Sequence, residues 1–210
     1  MSVVTNRPSA NRIIIENVRW ETYVGLLKDL EDRSSPRMAF DQGVLEIMSP
    51  LFEHDECNRM LASIVEIVLE ELEVDFRNSG STTFKREALE RGFEPDSSFY
   101  IQSVGRIRNK RRIDMEVDPP PDLVIEVDLT NDSLDKLPLY AALGVPEVWR
   151  YKEDLEIRTL KQGRYTRCMM SAAIPILNEK LISEFLESSF GMKRPVWLRQ
   201  TRQKIRSLIR

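Results

Sequence analysis

Apolar side chains recur at helical spacing in two stretches. Trp20, Tyr23, Val24, Leu27 and Leu30 predict a short helix with Asn17 as its cap. Met60, Leu61, Ile64, Val65, Val68, Leu69 and Leu72 form a longer stripe, which predicts the longest helix of the chain, from about Glu53 to Leu72. Between them, MAF and VLEIM alternate as strands around Asp41-Gln42-Gly43, a hairpin for which the glycine leaves a bulged turn open. A short strand at Ile13–Ile15 precedes all of this.

After the long helix, Thr82–Arg86 reads as a strand, and Phe93 leads into another that carries Asp96 and ends near Gln102. The strongest β signal is Leu123–Val127, a β-former run bounded upstream by Pro119, Pro120 and Pro121. Its lack of polar alternation predicts burial on both sides, hence a central strand of an α/β sheet. Asp132, Lys136 and Tyr140 then follow at four-residue spacing on one helix face. That helix is expected to start near Asp132 or Ser133, to hold Pro138 just past its first turn, and to end at Gly144. PEVWRYK resumes strand character, and a strand–helix–strand crossover predicts a parallel pair. A hairpin around Lys161-Gln162-Gly163 and a helix over Glu179–Leu186, capped by Asn178, close the compact part.

With 210 residues and no repeat or low-complexity segment, the chain is read as a single α/β domain over residues 1–190. Residues 191–210 are set apart as a basic C-terminal tail, with seven Lys or Arg and no acid. A second basic run, Arg106, Arg108, Lys110, Arg111 and Arg112, lies in the loop between the Asp96 strand and the Leu123 strand. The net charge is −3, so affinity for phosphates rests on these clusters and not on the chain as a whole. The two cysteines, Cys57 and Cys168, have no metal or redox spacing, and the single histidine excludes a His-rich metal site. No apolar run approaches membrane-helix length and no signal peptide opens the sequence, so a cytoplasmic location is expected.

Candidate chemistry starts at Glu126. Alternation puts Asp122, Val124, Glu126 and Asp128 on one strand face, and a carboxylate on a buried strand needs a cation or donor. Asp122 is about 13 Å along the strand, too far to share a small ion with Glu126, and reads as a turn residue. A neighbouring strand could supply Asp96, since directly opposed Cβ atoms are about 4.5–5.5 Å apart. Lys136, about ten residues after Glu126 in sequence, is expected to reach back to the carboxyl end of that strand. Asp132 would position Lys136, and Tyr140 stands one turn beyond it. Glu53 and His54, in the first turn of the long helix, are auxiliary candidates, although acids are favoured there by the helix dipole alone.

The words FDQGVLEIMSP, Glu53-His54, EPDSSFYI, PPDLVIEV, the Asp132/Lys136/Tyr140 pattern and GVPEVW, taken in this order, resemble the Uma-type restriction endonuclease family, formerly a domain of unknown function, within the PD-(D/E)XK nuclease superfamily. The resemblance spans roughly residues 38–160. It implies a restriction-endonuclease-like fold: a central mixed sheet flanked by helices, here with an N-terminal helix and hairpin extension. It also implies an Mg²⁺-dependent endonuclease acting on DNA (Mn²⁺ as the alternative ion). Carried over by position, Asp96, Glu126 and the main-chain carbonyl of Val127 bind the metal, and Asp96, Glu126 and Lys136 form the catalytic set. The superfamily's usual lysine position, two residues after the glutamate, holds Asp128, which matches members whose lysine has moved to the following helix. The alternative is a catalytically silent module on the same scaffold, binding nucleic acid or protein as a dimer. A homodimer would also suit an enzyme that cuts both strands.

Overall fold

The computed structural model describes residues 11–30, 36–129 and 135–209. Two sheets share the work of positioning. The larger has six strands: β4 (Arg77–Asn78), β7 (Ser97–Tyr100), β8 (Leu123–Val127), β9 (Glu147–Tyr151), β10 (Leu155–Lys161) and β11 (Arg164–Cys168), ordered β11-β10-β9-β8-β7-β4. It is mixed: β8 pairs parallel with β9 and antiparallel with β7. The parallel pair follows from the crossover through α4 (Leu137–Leu143), as its spacing predicts.

The smaller sheet is antiparallel: β1 (Asn11–Ile15), β3 (Val44–Ser49), β2 (Arg37–Asp41), β6 (Arg91–Phe93) and β5 (Phe84–Arg86), in that order. The hairpin β2–β3, expected as part of an N-terminal extension, lies inside this five-stranded sheet. Phe93 was expected to lead into the Asp96 strand; it lies in β6, which pairs with β2 and β5, with Glu94 and Pro95 between it and Asp96. Gln42 and Gly43 both take positive φ, 45° and 99°, and Asp41 pairs directly with Val44. The turn is therefore a two-residue left-handed one, whose twist matches that of the strands, and no bulge is needed. Gln162-Gly163 repeats the arrangement between β10 and β11, with Lys161 opposite Arg164.

Helix α2 (Phe52–Glu71) lies across one face of the larger sheet. Leu61, Ile64, Val65 and Val68 pack there with Leu123, Ile125 and Val127 of β8. Helices α5 (Glu179–Phe190) and α6 (Arg194–Ile209) join the same layer. On the opposite face, Val124 and Val148 meet Leu139, Tyr140 and Leu143 of α4, together with Ala39, Phe84 and Phe93 of the smaller sheet. Each fully buried Leu, Ile or Phe contributes roughly 1.5–3 kcal/mol, so β8, covered on both sides, anchors the domain. A third cluster seats α1 (Trp20–Asp29) through Trp20 and Tyr23 against Phe40. Its cap is Arg19, not Asn17; Asn17 sits at φ 59° and turns the chain before the helix begins.

Residues 191–210, distinguished in sequence by their lack of acids, largely form α6, which docks on α2. Trp197, Thr201 and Ile205 are buried, the Trp197 indole N–H donates to the Phe185 carbonyl at 2.8 Å, and Arg202 and Arg206 pair with Glu70 and Glu71. No helix among the described residues is long and apolar enough to cross a membrane.

Candidate active site

The register of β7 on β8 pairs Ser97 with Ile125; one step further, Asp96 comes opposite Glu126. Both are buried. The Val127 main-chain N–H donates to Asp96 Oδ2 at 2.7 Å, and Asn58 Nδ2 of α2 donates to the Asp96 carbonyl at 3.0 Å. These bonds fix Asp96 at the end of β8. Asp122, at the other end, accepts from the Ile101 and Ser103 N–H groups and the Ser103 hydroxyl, the loop-stapling role its position after proline implied.

Cations cover the two carboxylates. Arg37 of β2 pairs with Asp96 Oδ1 and, at 3.2 Å, with Asp55 of α2. Lys136 Nζ lies 2.9 Å from Glu126 Oε2 and 3.7 Å from Glu46 Oε1. The Tyr140 hydroxyl donates to Glu126 Oε1. Burial, followed by the neighbouring Glu126, pushes the Tyr140 phenol well above its usual range, so it stays protonated and acts as a donor. Lys136 is not on a helix face as expected. It is the N-cap of α4, which starts at Leu137 because Pro138, lacking an N–H, is tolerated only in the first turn. Asp132 lies outside the described residues.

His54 is buried beside Asp96, with Nε2 3.1 Å from Asp96 Oδ2, though not aligned as a hydrogen bond. Burial and then Arg37 hold its pKa below the usual value, so the ring is neutral at physiological pH. Glu53, by contrast, is exposed; the first-turn acid that joins the site is Asp55.

The Uma2 family, described as "Putative restriction endonuclease", matches residues 20–185. The chain belongs to the Uma2 family. A crystal structure of "a putative nuclease belonging to DUF820" from Anabaena variabilis ATCC 29413 is similar to it in fold, with a TM-score of 0.58 and 14% identity over 80% of this chain and 99% of that one. No curated protein matches the chain significantly.

Several residues of this Uma2 site were not picked out from sequence. Glu46 is buried in the VLEIM strand, and a carboxylate in an apolar strand is the same signal that singled out Glu126. Arg12 of β1 carried no signal. It reaches over β3 to lie 3.7 Å from Glu46 and 3.9 Å from Asp128, and its Nη2 donates to Met48 Sδ at 3.2 Å. Arg150 pairs with Asp128 at 2.9 Å. Together Arg12, Met48, Glu126, Asp128, Lys136 and Arg150 line a cavity of about 30 Å³, room for a water or a small ion.

The basic run occupies a different place. Its loop joins the ends of β7 and β8 opposite to Asp96 and Glu126, about 13 Å away along the strands. Arg108 pairs there with Asp75, and Lys110 pairs with Asp118. Arg111 and Arg112 line an open groove with Lys28, Arg77 and Lys85, and among the described residues its lining includes no acid. Arg106 is exposed on the short helix α3 (Val104–Ile107) near the start of the loop.

Proposed function

We propose that this Uma2 protein is a metal-dependent endonuclease that hydrolyses phosphodiester bonds in DNA. The observation that supports it is the cross-strand opposition of Asp96 and Glu126, with Lys136 on Glu126 and His54 on Asp96.

The donor set fits a hard divalent cation. Asp96, Glu126 and the Val127 carbonyl supply oxygens only, the set that Mg²⁺ prefers, with Mn²⁺ as its substitute. No three His, Cys, Asp or Glu side chains converge as a ready-made metal cluster among the described residues, and this set calls for only two. Among the described residues of the surrounding network six carboxylates, Glu46, Asp55, Asp96, Glu126, Asp128 and Asp135, stand against four cations, Arg12, Arg37, Lys136 and Arg150. That excess of negative charge suits one divalent ion.

Such an ion, when bound, polarises the scissile phosphate and lowers the pKa of a bound water. The chain's own groups do the rest. Lys136 offers its ammonium to the negative charge that develops on the phosphate. Tyr140 and the Val127 N–H hold the two carboxylates in fixed orientation, so no reorganisation is needed as charge moves. Arg37 stands at Asp96 and lines an open cleft with Asp55 and Asn58, where it would meet an incoming phosphate, and neutral His54 backs Asp96 from the buried side. The basic groove lined by Lys28, Arg77, Lys85 and Arg111 would hold the flanking nucleic-acid backbone.

A second reading, a silent nuclease-fold module that binds without cutting, is favoured by one feature: Asp96 and Glu126 already have organic cations as partners. Calorimetric titration with Mg²⁺ and Mn²⁺ separates the two, run on the wild type and on Glu126→Ala. The nuclease reading expects binding that the substitution abolishes, together with metal-dependent cleavage of plasmid DNA. A wild type that binds neither ion at millimolar concentration, with or without a DNA duplex, leaves the binding module.

A further inference from the structure

One edge of the smaller sheet is β1, and its last three residues point into solvent on both faces. Ile13, Ile14 and Ile15 are 59%, 45% and 42% exposed. Among the described residues β1 pairs only with β3, and an apolar edge strand is a template for another strand, an edge that proteins usually guard with charge, proline or a bulge. Within Ile13–Ile15 there is none of these.

The sequence around it is self-complementary. Placed antiparallel to itself about Ile14, Ile13 faces Ile15 of the second copy, Ile14 faces Ile14, and Arg12 faces Glu16. The apolar centre meets an apolar centre, and at each end Glu16 comes over the backbone of an Arg12 whose side chain is turned inward to Glu46 and Asp128. Like charges directly opposed would be unfavourable, and this register has none. Glu16 is exposed.

We propose that the Ile13–Ile15 edge is a homodimer interface, in which two copies pair β1 to β1 about a twofold axis through Ile14. The pairing is isologous, so it closes at two copies and does not propagate. It joins the two five-stranded sheets into one continuous sheet. It also sets each copy's Arg12, the residue that reaches Glu46 and Asp128, beside the partner's Glu16. The assembly places the two cavities lined by Arg12 on either side of the axis.

Light scattering and directed cross-linking test this without reference to cleavage. The wild type is expected at twice the 24.5 kDa chain mass, and Ile14→Lys, at an exposed position, at the single-chain mass with an unchanged circular dichroism melt. Register is read with cysteines in a chain carrying Cys168→Ser. Ile14→Cys is expected to form a disulfide dimer on mild oxidation, because opposed Cα atoms are about 4.5–5.5 Å apart. Ile13→Cys alone is not, since its self-pair lies on a diagonal of about 7–8 Å. Mixed with Ile15→Cys, it is expected to cross-link. A wild-type monomer at micromolar concentration, or a dimer that survives Ile14→Lys, overturns the proposal. So does cross-linking of Ile13→Cys alone. A dimer that appears only after residues 1–10 are deleted also overturns it, and assigns the strand's cover to the chain's own N-terminus.

Discussion

Lys136 and Glu126 meet at 2.9 Å, although Lys136 is the residue that caps α4 and Glu126 lies inside β8. The ammonium is held by a strand carboxylate and not by its own helix. Lys136→Ala removes that cation from a buried acid and from the proposed reaction centre. Under the nuclease reading, single-turnover cleavage of supercoiled plasmid should slow about 10²–10³-fold, the usual cost of losing one preorganised donor. An unchanged rate would remove Lys136 from the mechanism.

Tyr140 is fully enclosed and gives its only hydroxyl proton to Glu126. Tyr140→Phe keeps the ring, and so its edge contact with Phe93 at 4.6 Å, but deletes the bond. A hydrogen bond to a charged group contributes about 1.5–3 kcal/mol, so the melting temperature should fall by several degrees. Thermal denaturation of the two chains side by side checks this.

Gly92 and Gly25 should respond in opposite directions to alanine. A Cβ on Gly92 would stand 2.5 Å from the Tyr23 hydroxyl and 2.9 Å from its ring, and Tyr23 is stacked at 5.1 Å on Phe40 with no room to retreat. Gly92→Ala should cost about 1–3 kcal/mol by overpacking. Gly25, inside α1, has nothing within 4 Å, and Gly25→Ala should stabilise by up to about 1 kcal/mol. Chemical denaturation of both variants decides it.

Glu179 supplies an acid-sensitive link. Burial alone would raise its pKa, but Arg167 at 3.0 Å and the Ile157 N–H at 3.0 Å outweigh that and hold it below the usual carboxylate value. A lowered folded-state pKa means that the unfolded chain takes up the proton first. The stabilisation is therefore complete above about pH 4.5 and is lost as the pH falls through the lowered native value. Glu179→Gln should reduce stability near neutrality and flatten the decline in melting temperature below pH 4.5.

Trp197 ties the last helix to the body of the fold. Trp197→Ala should cost about 3–5 kcal/mol, within the range for emptying a large aromatic site. A chain stopped at residue 192 should lose its cooperative melt.

The central features could be read from residues because they rest on local rules. The α2 stripe and the β8 run each follow from burial periodicity, and the placement of Asp96 beside Glu126 needed only the step of pairing two predicted strands. What escaped was non-local. Arg12 and Arg37 enter the site because β1 and β2 flank β3 in the smaller sheet, a strand order that no single segment encodes. The tail was set apart at Gly191, where acids vanish, with Ile205, Leu208 and Ile209 as an apolar face for docking on a second subunit or on DNA. Trp197 and Ile205, eight residues apart, lie on one helix face, and their burial against α2 decides its place. Lys136 was placed on a helix face because the spacing to Tyr140 fits one, but Pro138 set the helix start at Leu137.

The site's members come from Arg12, Arg37, Glu46, His54, Asp96, Glu126, Lys136 and Arg150, so its first and last contributions are separated by most of the chain. Such long-range pairings are costly in loop entropy and form late in folding. A chain still emerging from the ribosome lacks β9 and α4, and with them Arg150, Lys136 and Tyr140, until the fold is nearly made. The chemistry of this centre therefore switches on only with the finished molecule. Under the nuclease reading, synthesis in the presence of DNA exposes no partly built cutting site.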